Sequence, residues 1–167
     1  MRLDRSSLNA AKAARPASNA SLRLDDQLCF ALYAATNAIT RAYRAPLARL
    51  GLTYPQYLAM LVLWEHGAQS VKSLAARLDL DSSTITPLVK RLAEAGLVAR
   101  ERDPLDQRSL HIELSHAGRA LREPAARIQE RIACQTRLAG DEFVALRAQL
   151  HALVGEIAGS ADGEAGA

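Results

Sequence analysis

Apolar residues recur at helical spacing twice in quick succession, first at Val71, Leu74, Ala75 and Leu78 and then at Ile85, Leu88, Val89 and Leu92. A period near 3.6 with one apolar face predicts two short amphipathic helices sharing a small core. Ser70 and Asp81 stand where each helix wants an N-cap acceptor. Asp79 and Leu80 form the tight connection, and Gly96, free to adopt a left-handed conformation, ends the second helix. Period two then takes over. Segments 97–102 and 109–114 read as strands around a polar turn at 103–108, the second alternating Leu110, Ile112 and Leu114 with His111 and Glu113. Two helices on a tight turn followed by a hairpin is the order of a winged helix-turn-helix, a module whose second helix enters the major groove of DNA.

The outward face of that second helix carries Ser82, Ser83 and Thr86 early and Lys90 and Arg91 late. Short hydroxyls suit base edges and cations suit phosphates. Pro87 removes one backbone hydrogen bond, which predicts a slight distortion of the first two turns. A solvated polar face would explain the hydroxyls alone, but the hairpin that follows weighs against it. Within the turn, Arg108 can enter a minor groove while Asp106 fixes its rotamer. Lys72, Arg77, Arg100 and Arg102 are further phosphate candidates, each lost contact lowering the salt slope of binding by about one.

Apolar helices flank this module on both sides. Leu24, Leu28, Ala31, Leu32, Ala35, Ile39 and Ala42 form a broad stripe, and Phe143, Leu146, Leu150, Leu153 and Ile157 a near-heptad seam. Another long helix runs from Ala117 through Leu121 and Ile128 to Ile132, with Pro124 either kinking it or falling in a break. Thr53, Tyr54 and Pro55 make a good helix start, continued through Leu58, Leu61 and Trp64 to Gly67. Terminal apolar faces with no sheet to cover are most simply explained by a homodimer, which would present two recognition helices to a pseudo-palindromic site on double-stranded DNA. The predicted fold is therefore mainly α with a small β-hairpin wing, flanked by N- and C-terminal dimerisation helices.

Composition adds bounds. The 167 residues, 49% of them hydrophobic, suffice for one domain with a core that needs no disulfide. A formal charge of +3 from 21 basic and 18 acidic residues says little about nucleic acid, so local clustering carries that inference. No run is long enough to span a membrane and no signal peptide opens the chain, which predicts a cytosolic protein. Residues 1–21 read as a disordered arm and 159–167 as a flexible tail. His66, His111, His116 and His151 share no ligand spacing, so neither metal nor other cofactor is expected, and His66 fits a helix C-terminus. Cys29 and Cys134 are either buried hydrophobes or redox-active thiols. Cys29 falls in the second turn of a helix capped by Asp25, where the helix dipole favours a thiolate and Asp25 and Asp26 oppose it.

The runs LDDQLCFALYA at 24–34, LTYPQY at 52–57, LWE at 63–65, LDS at 80–82 and TPL at 86–88 resemble the organic hydroperoxide resistance regulators, a redox-sensing branch of the MarR family. The resemblance covers 22–138 and implies a single MarR-type domain over 22–158, with the winged module at 53–114 and dimerisation helices at 22–48 and 116–158. It implies that Cys29 is the reactive cysteine and that Tyr43 and Tyr54 of the partner subunit hold its thiolate, with Tyr33 a further pocket residue. Cys134 matches the resolving cysteine of the two-cysteine members. On the DNA side the resemblance carries over Ser82, Thr84, Thr86, Pro87, Lys90, Arg91, Asp106 and Arg108. Its target would be a neighbouring gene for an organic hydroperoxide reductase.

Organic hydroperoxides are then the expected inducers, and apolar Phe30, Leu32, Met60 and Leu61 near the site would favour them over hydrogen peroxide. Two other classes compete. A thiol peroxidase using Cys29 and Cys134 would need a reductant site, and no Cys-x-x-Cys supports one. A regulator binding a phenolic ligand would leave both cysteines as core filler.

Overall fold

The computed structural model describes residues 22–102 and 110–164. The chain divides into two units, Met1–Thr40 and Arg41–Ala167. In the first, a 3-10 turn at Leu24–Asp26 precedes helix α1, Leu28–Ala48, which continues into the second unit. Gln27 is extended at φ −90°, ψ 119°, and its carbonyl accepts from Ala31 N, so the helix starts after it. Cys29 therefore lies in the first turn of α1 rather than the second, because Asp25 is spent inside the 3-10 turn.

The second unit holds the core. Helix α2, Tyr54–His66, opens on a reciprocal capping box: Gln56 Oε1 accepts from Thr53 N at 2.8 Å and Thr53 Oγ1 from Gln56 N at 3.5 Å. Pro55 falls in the first turn, where its missing N–H costs nothing. After β1, Gln69–Ser70, come α3, Val71–Leu78, and α4, Ser82–Glu94. Ser70 caps α3 by accepting from Ser73 N, and Asp79 closes it in the left-handed region at φ 53°. Asp81 occupies the N-cap of α4 without a side-chain hydrogen bond, and α4 runs unbroken through Pro87. Gly96, at φ 69°, turns the chain into β2, Val98–Arg102.

Strand β2 pairs antiparallel with β3, Leu110–Leu114, in the register Val98↔Leu114 to Arg102↔Leu110. The wing is a three-stranded sheet of order β1-β3-β2, one strand more than the predicted hairpin, with Gln69 opposite Ile112 and Ser70 opposite His111. Ile112 is fully buried and Glu113 exposed, following the alternation expected of β3. Leu47, Met60, Leu63, Leu74, Ile85, Leu92 and Ile112 form the closed centre of the core.

The predicted helix over 117–132 is two helices, α5 at His116–Ala120 and α6 at Arg122–Gln135. Leu121 marks the break, and Pro124 sits in the first turn of α6, where it disturbs no intrahelical bond. Helix α7 spans Gly140–Glu164, so 159–164 is helical rather than a loose tail. A single interior glycine such as Gly159 costs about 1 kcal/mol against alanine, too little to stop a long helix. None of α7 over 140–159 is buried. The disordered arm over 1–21, the turn at 103–108 with Asp106 and Arg108, and 165–167 lie outside the described residues. Among the described residues no helix is long and apolar enough to cross a membrane.

Candidate DNA interface and thiol site

The amphipathic pattern of α4 decides what it can present. Ile85, Leu88, Val89 and Leu92 are buried against the core, which turns Ser82, Ser83, Thr84, Thr86, Pro87, Lys90 and Arg91 outward, all exposed. These are the predicted DNA residues of the helix, gathered on one element. Thr86 Oγ1 donates to Ser82 O at 2.8 Å, so this hydroxyl keeps acceptor capacity but no free proton. Lys90 pairs with Glu94 one turn on, at 3.8 Å, an exposed contact that a phosphate can replace at small cost. Lys72, Arg77 and Arg100 are exposed as well, although Arg77 donates to His66 Nε2 at 2.9 Å. His66 is the last residue of α2, as its place before Gly67 suggested.

Tyrosines meet where the end of α1 crosses the start of α2. The Tyr43 ring lies 5.3 Å from Tyr54 and 5.4 Å from Tyr57, and Tyr54 and Tyr57 are 6.2 Å apart. Tyr43 is 8% exposed and Tyr57 only 2%. Burial raises all three phenol pKa values above the ordinary 10.0; the neighbouring rings add to this for Tyr43 and Tyr57. The contact between the two side chains raises Tyr57 further and offsets part of the rise at Tyr43. At neutral pH the cluster is thus a set of O–H donors in a poorly hydrated wall, suited to an incoming anion. Tyr57 was not singled out from the sequence as a site residue. Its position three residues after Tyr54, one turn along the same helix face, was the available signal.

Cys29 is exposed in the first turn of α1, and Cys134 is exposed in the last turn of α6. Neither is the buried hydrophobe that composition allowed. Tyr33 is 64% exposed. Of the predicted apolar neighbours, Met60 is fully buried, while Phe30, Leu32 and Leu61 are half-buried. A separate cleft of about 490 Å³ opens between α2 and α6, lined by Leu61, Trp64, Glu65, Arg122 and Gln129 among others. Among the described residues no three His, Cys, Asp or Glu side chains come together in a way that could hold a metal.

A short helix pair on a left-handed turn, a three-stranded wing and a polar, basic outer face on the second helix define a winged helix-turn-helix protein. The MarR family model matches residues 52–110. Over 133 residues the chain is 41% identical to the organic hydroperoxide resistance transcriptional regulator of Bacillus subtilis, covering 80% of this chain and 90% of that one. It is 46% identical over 139 residues to the HTH-type transcriptional regulator TtmR of Methylorubrum extorquens, 79% of this chain and 71% of TtmR. Its fold matches AbfR in two solved states. Reduced AbfR bound to DNA has a TM-score of 0.67 at 36% identity, over 81% of this chain and 94% of that one. Disulfide-formed AbfR has a TM-score of 0.60 at 30% identity, over 95% and 99%. The chain belongs to the MarR family and is a transcriptional regulator.

Proposed function

We propose that this chain is a homodimeric repressor that holds a pseudo-palindromic site on double-stranded DNA through α4 and the wing, and that organic hydroperoxide releases it by oxidising Cys29. The observation that carries this reading is the cluster of Tyr43, Tyr54 and Tyr57, whose ring centroids lie 5.3 to 6.2 Å apart at the edge of the core. By the family resemblance, the hydroxyls that meet the Cys29 thiolate are those of a second subunit. Similarity to an organic hydroperoxide resistance regulator and to reduced and disulfide-formed AbfR supports the same chemistry.

The thiolate sulfur attacks the distal oxygen of the hydroperoxide, the O–O bond breaks, and the departing alkoxide takes a proton to leave as an alcohol. Cys29 is then a sulfenic acid. The Cys134 thiol of the partner subunit displaces its hydroxyl, forming a disulfide and releasing water. Two hydrogen bonds from tyrosine to a thiolate contribute about 1.5 to 3 kcal/mol each, and oxidation removes them with the charge. A hundredfold loss of DNA affinity requires about 2.7 kcal/mol, so the switch is energetically sufficient.

A duplex selected from a random-sequence library by the reduced protein serves as probe, and cumene hydroperoxide as oxidant. Wild type should lose at least tenfold in affinity on oxidation, and Cys29→Ser should lose none while binding normally when reduced. Non-reducing electrophoresis should show a covalent dimer that Cys134→Ser abolishes. Release of the Cys29→Ser protein by the hydroperoxide would sink the thiol mechanism. The cleft beside Trp64 and Arg122 favours a second reading, in which a phenolic ligand is the inducer. In that case both cysteine variants would respond to the ligand as wild type does.

A further inference from the structure

We infer that Trp64 is a positioning residue that couples the tyrosine cluster to the root of the wing; this rests on the oxidant-switch reading above. Tyr54, Tyr57 and Trp64 occupy α2 at spacings of three and seven residues, which places them along one face. The Trp64 ring centroid lies 6.4 Å from that of Tyr57, and Tyr57 stacks on Tyr43. At its other edge, Trp64 Nε1–H donates to Gly118 O at 2.9 Å, across 54 residues of sequence.

Gly118 is wedged against the start of β2. A Cβ at this position would lie 2.0 Å from Leu97 O, and the same Leu97 O accepts from Ser115 N at 3.0 Å. Ser115 Oγ in turn donates to Gly96 O at 2.7 Å and accepts from Gly118 N at 3.0 Å. Helix α5 and the first residue before β2 thus form one hydrogen-bonded block, and the indole is its polar tie to α2. Close-packed interiors pass small displacements on rather than absorbing them. A shift of the tyrosines when the thiolate loses its charge is transmitted through Trp64 to α5 and to the strand that carries the wing.

Trp64→Phe keeps a ring against Tyr57 and deletes the N–H donor. With the selected duplex and cumene hydroperoxide, the reduced variant should bind within about twofold of wild type. Its oxidised-to-reduced Kd ratio should fall at least tenfold below the wild-type ratio. A purely structural hydrogen bond would change stability and leave that ratio intact, and such a result overturns the inference. Should Trp64→Phe not fold, hydrogen exchange on the wild type decides: oxidation must speed exchange in 97–102 and 115–120 together with α2, and unchanged exchange there overturns it. Wild type that ignores the hydroperoxide overturns the switch reading and the inference together. A responsive wild type with an equally responsive variant overturns only the role of Trp64.

Discussion

The Gly118→Ala protein is expected to melt about 10 °C below the parent. The added methyl would stand 2.0 Å from Leu97 O and 3.3 Å from Leu114 Cδ2. Leu97 O is backbone, already committed to Ser115 N, and it cannot rotate away as a side chain would. Relief requires moving α5 off the wing, which weakens the Trp64 bond to Gly118 O and the Ser115 cap at once. Overpacking of this kind costs on the order of 3 kcal/mol or more, and 1 kcal/mol corresponds to roughly 2 to 4 °C in a chain of this size. Differential scanning calorimetry measures it directly. A melting temperature within 2 °C of the parent would mean that α5 and β2 separate without cost.

Alkali should unfold this protein steeply above pH 10, in step with tyrosine ionisation. Burial raises Tyr43, Tyr54 and Tyr57 in the folded chain, whereas an unfolded tyrosine titrates near 10.0. Above that pH the unfolded state binds fewer protons than the folded state, so stability is whole below pH 10 and is lost as pH climbs toward the folded values. Each such group contributes a slope of up to about 1.4 kcal/mol per pH unit, and three acting together about 4. Tyrosinate absorbance near 295 nm and helical circular dichroism should therefore change together in an alkaline titration, and Tyr57→Phe should make the loss shallower. Full tyrosinate absorbance with the helices intact would contradict the buried hydroxyl cluster.

How far residues announce their structure depends on whether the cause is local. The apolar period that buries Leu74, Ile85, Leu88 and Leu92 and the alternation around Ile112 are local, and α3, α4 and β3 were legible from them. Strand β1 was not, because two residues carry no period; it exists only where Gln69 meets Ile112. Thr53 with Gln56 three residues later is a local start signal, whereas the approach of Tyr43 to Tyr57 depends on how α1 crosses α2. Gly118 is the clearest such case. Within a helical pattern it is only a weak helix former, and its reason for being glycine is a carbonyl more than 20 residues earlier in the chain. Cys29 and Cys134 stand out in the sequence only by family resemblance and helix position, and both are exposed in the single chain.

Helix α7 bears on how this regulator behaves when scarce. Val154 is 57% exposed and Ile157 62%, on a helix that gives nothing to the core over 140–159. If a second copy supplies their burial, dilution withdraws it, and the melting temperature falls as protein concentration falls. A disulfide between the subunits would remove that dependence, because partners that are covalently joined can no longer be diluted apart. Oxidation would then make the dimer hardest to dissociate in the state that has released DNA.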